Sequence, residues 1–516
     1  MPLHWLDLVC LAAYLAGVVV MGLYFARKNV DTEEYFVGGR RFAGWVIGLS
    51  MVGTAISSIT FLSMPADAFK TYWLRFLPYA MVPLAALLAA VFFIPFFRRG
   101  RVTSAYEYLE ARFGPSVRVY GAASYITAQL LRVSLVLYLV ALLLHELTGL
   151  HESTCILLAG GFVAIYTVLG GIDAVIWTDV VQTVVLISGS LLCIGIIVAE
   201  LPGGLGQIFE VAAQHDKFAL GDFHAGEGRV VRMSWGLDFG EKTVPLMLMM
   251  SATYFLTEYL TAQHFVQRYC AARSTREARV AMLIQVLVAV PTWVFYMFLG
   301  TSLFVFFTVF PTPETAEMLS GARKAEQVVP FFILNQLPAG VAGLVIAAAL
   351  AAGMSSLDSS INAISTVGIV DIYRRHVAVE RSDRHYLHVA WGIGAAASVG
   401  MLVGAHLLLY AEGPTLQDIS IRLTSLLGGG LLGIYLLGFL TRRGDARAVW
   451  AGVVCTALFT LWTMGAFPAR FSVPFDTYYT AAFGNLLMFV VGFVLGSLLP
   501  GRERDLRGLT VWRRAR

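Results

Sequence analysis

Apolar residues fill long, nearly uninterrupted stretches of this chain from one end to the other. A helix of about 20 apolar residues is long enough to cross the hydrocarbon core of a bilayer. The pattern predicts thirteen such helices, at residues 5–26, 44–66, 74–97, 118–145, 153–170, 174–200, 243–265, 279–308, 337–370, 386–411, 417–440, 448–467 and 476–499. The apolar stretch 327–336 is too short to span and is predicted to be a helix on the outer surface. We therefore expect an all-α polytopic membrane protein, with residues 1–516 forming one transmembrane domain.

Composition agrees with a lipid environment and excludes several other classes of protein. Of the 516 residues, 58% are hydrophobic and 14% are charged, and the mean hydropathy is +0.73. A soluble domain of this length cannot bury so much apolar surface, so membrane lipid is the expected solvent. The net charge of +4 is small, and basic residues are not interleaved with aromatic ones, so no nucleic-acid partner is expected. The five cysteines contain no C-x-x-C pair and are interpreted as apolar fillers.

Lysine and arginine residues are distributed unevenly between the predicted loops. If the N-terminus lies outside, the cytoplasmic segments are 27–41, 98–118, 266–279, 374–384, 441–447 and 500–516. These segments hold 26 of the 37 basic residues, as the positive-inside rule requires. The first apolar stretch has no preceding basic region and no small-residue cleavage site, so it is predicted to be a retained helix. The chain is expected in the inner (plasma) membrane, with its C-terminus in the cytoplasm.

The second predicted span has small polar residues where the bilayer centre is expected. Residues 53–60 read GTAISSIT, and Pro65 follows. A run so rich in Gly, Ser and Thr favours an unwound helix, and unwound backbone is tolerated in a membrane only where it lines a cavity or binds an ion. The same residues are equally typical of close packing between membrane helices. Residue types alone leave both interpretations open.

The ninth predicted span carries oxygen-bearing side chains along one helical face. Ala352, Ser355, Ser356 and Ser359 follow the i, i+3, i+4 and i+7 spacing, and Asp358 lies on the flank of this face. A hard monovalent cation such as sodium prefers oxygen ligands, and an intramembrane carboxylate is usually functional. Hydrogen bonding of serine to a neighbouring helix is the alternative, and we favour the ion site over it.

Four further ionisable residues lie within or near predicted spans. Asp179 lies about one turn inside the sixth span. It is either a site residue or an acidic residue at a helix start, which is common. Arg132 lies about half-way across the fourth span, where a guanidinium needs a partner. It either binds a substrate carboxylate or is neutralised by an internal acid such as Glu258 or Asp67. Glu258 and Arg422 are weaker candidates that can simply face an aqueous vestibule.

Five motifs in the same order resemble the sodium:solute symporter family, over about residues 5–440. The motifs are EYFVGGRRFAGWVIGLSMVGTAISS, SAYEYLEARFG, GGIDAVIWTDVVQ, AQHFVQRY and AAGMSSLDSSINAISTVGIVDIY. The resemblance implies an amino-acid transporter (LeuT-type) fold, in which two inverted repeats of five helices form the core. Here the repeats are expected at about 44–200 and 243–440, with peripheral helices at 5–26, 448–467 and 476–499.

The resemblance also implies sites for ions and substrate. The family's sodium ligands include two backbone carbonyls of the broken helix, which fall on Gly53 and Ile56. The others are one carbonyl and two hydroxyls of the ninth span, which fall on Ala352, Ser355 and Ser356. A second sodium is implied at Asp179, Asp358 and Ser359, and Asp358 departs from the family pattern. The sodium/sialic-acid branch is the most similar, and its substrate-binding positions fall on Ser57, Thr60, Tyr79 and Arg132. Tyr79 replaces a glutamine of that branch, which puts sialic acid itself in doubt.

These observations predict a sodium-coupled symporter that imports a small organic solute, with a carboxylate such as a sugar acid as the expected substrate. A neutral sugar or an amino acid is the alternative, as is coupling to protons through Asp358. An enzyme is not expected, because the histidines show no H-x-x-x-H pairing within a span. A sensor is not expected either, because the predicted tail of 500–516 is too short for a signalling domain.

Overall fold

The computed structural model describes residues 4–28, 31–100, 102–224, 229–410, 430–465, 467, 472–499, 505–506 and 508–511. These residues form a bundle of helices together with one antiparallel pair of short strands, β1 (Gly221–His224) and β2 (Arg229–Arg232). The strands lie in the longest loop between predicted spans. The predicted all-α membrane architecture is therefore confirmed, because the strands are a small addition outside the apolar helices.

The helices of the first half begin with the N-terminal span and end before the strands. They are α1 (Trp5–Ala26), α2 (Thr32–Val37), α3 (Gly44–Ala55), α4 (Ser58–Lys70), α5 (Val82–Leu88), α6 (Ile94–Arg99), α7 (Glu107–Arg112), α8 (Pro115–Thr148), α9 (Glu152–Glu200) and α10 (Gly204–Gln214). A π-helical turn, Ala89–Phe93, joins α5 to α6, and a 3₁₀ segment, Trp73–Met81, precedes α5. Together these pieces make one apolar rod, Phe76–Arg99.

The helices of the second half follow the strands. They are α11 (Val244–Thr261), α12 (Gln263–Ala271), α13 (Thr275–Val309), α14 (Pro313–Ser320), α15 (Val328–Gln336), α16 (Val341–Val367), α17 (Asp383–Leu408), α18 (Leu431–Leu440), α19 (Ala446–Thr463) and α20 (Thr480–Leu498). A π-helical segment, Gly368–Val377, extends α16. Helix α15 matches the predicted surface helix, but five of its nine residues are buried.

Across the described residues, nine helices are long and apolar enough to cross a membrane, and the bent pair α3 and α4 makes a tenth. Helix α9 covers two of the predicted spans, 153–170 and 174–200. Helices α11 and α18 lie in two other predicted spans, and neither is among those nine. Residues 417–429 of the predicted span 417–440 lie outside the described part. The count of thirteen therefore stays a prediction.

Helix α9 has 49 residues, which at 1.5 Å per residue is about 70 Å and more than twice the thickness of a bilayer core. Its continuity is interrupted at Gly171, where φ is 61° and ψ is −163°. A residue with a Cβ rarely adopts this conformation, so glycine allows the chain to turn here. The two predicted spans lie on either side of this residue.

The second predicted span is broken as the polar run suggested. Helix α3 ends at Ala55, Ile56 and Ser57 are extended, and α4 starts at Ser58 at an angle of 57° to α3. Gly53 lets α3 approach α9 closely, since a Cβ there would lie 2.8 Å from the hydroxyl of Thr183. The helix is therefore broken, and the alternative of close packing by small residues also holds just before the break.

A second break separates α11 from α12 at Ala262, whose φ is −79° and ψ is 119°. Every residue of α12 is buried. The segment 266–279 is predicted to be a cytoplasmic loop that includes Arg268, but its first six residues belong to this buried helix. The two breaks fall in the first span of each predicted repeat, where interrupted helices are typical of transporter binding sites.

Helix α16 runs through the centre of the bundle and is buried along nearly all of its length. It packs against α9, α8, α1 and α3. Asp7 of α1 caps the start of α16. Its Oδ1 accepts hydrogen bonds from the backbone N–H groups of Gly340 and Gly343 at 2.7 and 2.8 Å. The serine face predicted from the sequence therefore meets other helices rather than lipid.

Candidate functional site

Backbone carbonyls at the break between α3 and α4 meet serine hydroxyls of α16. Ser355 Oγ donates a hydrogen bond to the carbonyl oxygen of Gly53 at 2.8 Å and another to that of Ala352 at 3.3 Å. Ser356 Oγ donates to the carbonyl oxygen of Thr54 at 3.4 Å. Segments 302 residues apart in sequence are thus in direct contact, as the predicted sodium site requires. The alternative, hydrogen bonding of serine to a neighbouring helix, describes the same contacts and stays open.

Ile56, the remaining predicted sodium ligand, is the first residue beyond α3. It is fully buried, and its backbone is extended, with φ −99° and ψ 103°. The ligand groups of this first cluster are only carbonyls and hydroxyls, which carry partial charges and no formal charge. Such oxygens suit a hard monovalent cation and hold it weakly enough for release.

A second cluster surrounds Asp179 on α9. Asp179 Oδ2 accepts hydrogen bonds from Ser50 Oγ and from Nη2 of Arg268, both at 2.6 Å. Asp179 and Arg268 are almost completely buried, at 0% and 1% exposure of their side chains. The pair is therefore shielded from water, which makes its loss costly.

Arg268 belongs to this second cluster, although the sequence did not predict it as a site residue. Its guanidinium also donates to Ser50 Oγ at 2.8 Å, to the backbone carbonyl of His264 at 2.7 Å and to Ser359 Oγ at 2.7 Å. One side chain therefore ties α12 to α3, α9 and α16. The motif AQHFVQRY could have indicated this position, because its arginine lies only three residues after a long apolar span. The distribution of basic residues instead placed this arginine in a loop.

Asp358 and Ser359 extend the second cluster along α16. Asp358 Oδ2 accepts hydrogen bonds from Tyr166 Oη at 3.0 Å and from Thr178 Oγ1 at 3.4 Å. Ser359 Oγ lies 2.9 Å from Thr54 Oγ1 and donates to Asp358 Oδ1 at 3.4 Å. The three residues predicted for a second sodium therefore lie in one cluster, linked through Arg268 and Ser359. They are Asp179, Asp358 and Ser359.

The formal charges of this second cluster do not cancel. Two carboxylates, Asp179 and Asp358, face one guanidinium, Arg268, so the ionised cluster carries one excess negative charge. Asp179 Oδ1 is buried and has no hydrogen-bond partner among the described residues. A buried negative charge favours the uptake of a cation or a proton, and the arrangement can accept either one.

Two of the four predicted substrate residues lie at the break. Ser57 and Thr60 are buried at the start of α4. Ser58 Oγ contacts the backbone carbonyl of Val136 on α8 at 3.4 Å, one helical turn beyond Arg132. The first turn of α4 and the predicted arginine therefore belong to the same region of the bundle.

Tyr79 lies against aromatic side chains. Its ring stacks on that of Trp293 with centroids 4.2 Å apart, and the ring of Phe255 is 6.0 Å away. Phenylalanine at position 255 precedes Glu258 by one helical turn on α11. The aromatic surface and the acidic residue therefore share a face of that helix.

Arg132 has an acidic neighbour, which bears on one of the alternatives left open by the sequence. Its Nη1 lies 3.8 Å from Oε2 of Glu258, and the same oxygen lies 3.2 Å from Nε2 of His264. Of the two internal acids considered, Glu258 is the one placed beside the arginine. Arg422 lies outside the described residues.

Comparison with known proteins gives consistent results. The family model "Sodium:solute symporter family" matches residues 35–455. The sodium/sialic acid symporter NanT of Aliivibrio fischeri is 32% identical over 95% of this chain and 92% of its own. The sodium/sialic acid symporter SiaT of Proteus mirabilis is 30% identical, with 98% of each chain covered.

Solved structures show the same likeness. A substrate-bound, outward-open sodium-coupled sialic acid symporter superposes with a TM-score of 0.86 at 29% identity, covering 97% of this chain and 99% of that one. A nucleobase–cation symporter shares the fold, with a TM-score of 0.53 at 14% identity. The match of the family model over most of the chain, together with the first of these relatives, shows that this chain belongs to the sodium:solute symporter family.

Proposed function

We propose that this protein imports a small carboxylate-bearing solute, with sialic acid as the model substrate, and that sodium drives the uptake. The relatives with similarity over nearly the full chain are described as sodium/sialic acid symporters. The single observation that carries the proposal is the contact of Ser355 with the Gly53 carbonyl across the helix break. Disrupted backbone facing hydroxyls is the chemistry that a sodium site needs.

In the proposed cycle, sodium binds first, to the carbonyls of Gly53, Ile56 and Ala352 and the hydroxyls of Ser355 and Ser356. Binding there would hold α3, α4 and α16 in one arrangement and pre-organise the neighbouring substrate site. The substrate then binds beside Ser57, Thr60 and Tyr79, with its carboxylate on Arg132. Both ligands leave on the other side after the two repeats rock against each other.

The same proposal covers the architecture and the location. Thirteen spans would place the N-terminus outside and the C-terminus in the cytoplasm of the inner membrane. The repeats would cover about 44–200 and 243–440, and the two helix breaks in their first spans support this division. Transport without chemical conversion of the solute follows from membership of this family.

The role of Asp358 leaves two ways of coupling. Asp179, Asp358 and Ser359 would bind a second sodium, since their cluster carries one excess negative charge. A proton on Asp358 would satisfy the same charge, and the burial of this carboxyl favours that alternative. A second cation of either kind would make the import of a monoanion electrogenic.

Uptake into proteoliposomes tests the function. We expect accumulation of radiolabelled sialic acid under an inward sodium gradient and none under an inward proton gradient of equal size. Replacement of Arg132 by Ala should abolish the uptake of anionic solutes. Sodium-independent uptake would overturn the coupling, and uptake that survives Arg132→Ala would overturn the role of the arginine.

A further inference from the structure

A cavity lies between α1, α3 and α9, apart from the residues predicted to bind sodium and substrate. Its volume is about 680 Å³, within the ~300–1,000 Å³ that is usual for small-molecule sites. The side chains that give it its character are two cations, two acids and two tryptophans: Lys28, Arg41, Glu34, Asp173, Trp45 and Trp177. The predicted sodium and substrate residues are not among those that line this cavity, so it is a separate candidate site.

The cavity lies at the level of the bundle where the surrounding spans end. Helix α1 ends at Ala26, two residues before Lys28, and Trp45 occupies the first turn of α3. The rings of Trp45 and Trp177 meet edge to face, with centroids 6.2 Å apart, and Trp45 is 51% exposed. Tryptophan is enriched where a bilayer meets water. The cavity is therefore placed beside the lipid headgroups, on the face of the bundle that is predicted to be cytoplasmic.

The two acids of the cavity share a single arginine. Arg41 Nη1 donates to Glu34 Oε1 at 3.0 Å, and its Nη2 donates to Asp173 Oδ2 at 2.9 Å. One guanidinium thus balances one of two carboxylates, and this group of three carries one excess negative charge. Lys28, which is exposed, adds the second cation at the rim, where its Nζ lies 4.4 Å from the centroid of the Tyr24 ring. The four charged side chains together are therefore neutral.

The cations lie nearer to the surface than the acids. The side chain of Arg41 is 54% exposed, that of Glu34 is 22% exposed and that of Asp173 is 5% exposed. Within the described residues, Asp173 Oδ1 receives no hydrogen bond. A ligand that enters from the membrane surface therefore meets positive charge first and then carboxylates that lack a donor. An anion alone would leave the excess negative charge uncompensated, whereas a zwitterion with its cation innermost would satisfy both levels.

The apolar surface of α1 leads directly to the cavity. Val20 and Tyr24 are 66% and 55% exposed, and their spacing of four residues places them on one face of the helix. Tyr24 also contacts Lys28, and Leu23 beside it is 44% exposed. Exposed apolar residues of a membrane helix face the acyl chains of the bilayer. The ligand that suits this region therefore carries a zwitterionic headgroup on a hydrocarbon tail.

We propose that this cavity binds the headgroup of a phospholipid that has a primary ammonium group, as in phosphatidylethanolamine. The phosphate would lie against Lys28 and Arg41, and the ammonium would donate hydrogen bonds to the carboxylates of Glu34 and Asp173. A choline headgroup has the same two charges but no N–H group, so it would fill the cavity without satisfying the acids. The inference does not depend on the transported solute or on its coupling ion.

Lipid binding to the purified, delipidated full-length protein tests the inference. Native mass spectrometry measures the affinity of the first bound lipid, for phosphatidylethanolamine and for phosphatidylcholine with the same acyl chains. We expect the ethanolamine lipid to bind about tenfold more tightly. Its N-methyl and N,N-dimethyl derivatives should fall between the two in order, because each methyl group removes one N–H donor at constant charge.

Substitutions test the two charges of the headgroup separately. Asp173→Asn and Glu34→Gln should each reduce the preference for ethanolamine over choline by about threefold or more, and the second provides a reading if the first does not fold. Lys28→Met should weaken both lipids by a similar factor, since the phosphate is common to them. Asp216→Asn is the control and should change no affinity, because this acid pairs with Arg232 in the loop after α10 and its side chain is 68% exposed.

The remaining outcomes would overturn the inference. Equal affinity for the ethanolamine and choline lipids would refute recognition of the ammonium group. A preference that persists unchanged in both acid variants would place the lipid elsewhere on the protein. Equal competition by water-soluble glycerophosphoethanolamine would indicate a site for a free headgroup, and tighter binding of phosphatidylglycerol would indicate a site for anionic lipid. Uptake of sialic acid enters none of these measurements, so such results would leave the proposed function standing.

Discussion

Two polar regions lie one helical turn apart on α16, and they differ in charge. The first region, around Ser355 and Gly53, contains carbonyls and hydroxyls without formal charge. The second region, around Ser359, contains the carboxylates of Asp179 and Asp358 and the guanidinium of Arg268. Thr54 touches both, since its carbonyl meets Ser356 and its hydroxyl meets Ser359.

The difference teaches how one bundle can combine stability with reversible binding. A cluster of neutral oxygens costs little without an ion, which agrees with the proposal that a cation enters and leaves there in every cycle. A buried cluster of formal charges is costly unless it is compensated at all times. Arg268 balances one of the two carboxylates permanently, which leaves a single negative charge to respond to a cation or a proton.

The largest expected effect comes from breaking the charged region. Replacement of Arg268 by Met leaves two buried carboxylates without their cation and should destabilise the protein by about 3–5 kcal/mol. We expect a large fall in the yield and melting temperature of the purified protein. The control is Arg273→Met, which removes an exposed ion pair with Glu277 and should cost less than about 1 kcal/mol. Equal losses in the two variants would contradict the importance of the buried pair.

The next effect concerns the neutral region. The double replacement of Ser355 and Ser356 by Ala removes both hydroxyls and should weaken sodium by about tenfold or more, while the fold persists. The sodium concentration for half-maximal uptake is the measurement. Ser365→Ala on the same helix is the matched control, because its hydroxyl bonds to the Ala390 carbonyl of α17. An unchanged sodium dependence in the double variant would contradict the proposed sodium site at Ser355 and Ser356.

A more moderate effect sharpens the comparison at Asp358. The variant Asp358→Asn removes the excess negative charge, so we expect the number of cations per transported substrate to fall by one. The ratio of charge flux to substrate flux in proteoliposomes measures this number. Tyr166→Phe removes one hydrogen bond to the same carboxylate and should weaken binding at an unchanged ratio. An identical ratio in wild type and Asp358→Asn would exclude a second coupled cation at this carboxylate.

The smallest effect concerns the end of α4, beyond the neutral region. Lys217 is buried in the loop after α10, and its Nζ donates to the carbonyls of Phe69 and Thr71 at 2.7 and 3.1 Å. Burial lowers the pKa of Lys217 to about 7, against ~10.4 for a free lysine. Between these values the unfolded chain binds more protons, so stability should rise with pH by at most ~1.4 kcal/mol per unit.

Melting temperatures of the purified protein between pH 7 and 9 test this dependence. The wild type should gain stability with pH relative to Lys217→Met, whose side chain does not titrate. Lys70→Met, at the exposed end of α4, is the control and should follow the wild type. Parallel curves for all three proteins would show that the burial of Lys217 does not affect stability in this range.

Local signals in the sequence predicted much of the fold and of the first site. Runs of apolar residues located the spans, because the length of a bilayer-crossing helix is set by the bilayer itself. The small polar residues at 53–60 marked the position of the break, although residue types left a break and close helix packing equally open. The spacing of Ser355 and Ser356 predicted a common face on α16. The resemblance to a known family then joined the two segments into one proposed site, which sequence patterns alone do not do.

These local signals did not predict which charged residues far apart in sequence contact each other. The sequence placed Arg268 in a cytoplasmic segment, since an arginine after a span is normally interfacial. Only the packing of α12 between α3, α9 and α16 shows that it is buried beside Asp179. In the same way, residue types left the partner of Arg132 open between a substrate and an internal acid, and the crossing of α8 and α11 brought Glu258 to it.

The sequence by itself therefore determined that this chain is a helical membrane protein, where its polar interruptions lie and to which family it is similar. These properties depend on the composition and periodicity of contiguous segments. The tertiary structure decided which charged groups lie close enough to neutralise each other. The physical reason is that charge compensation depends on distances of a few ångströms between side chains far apart in sequence.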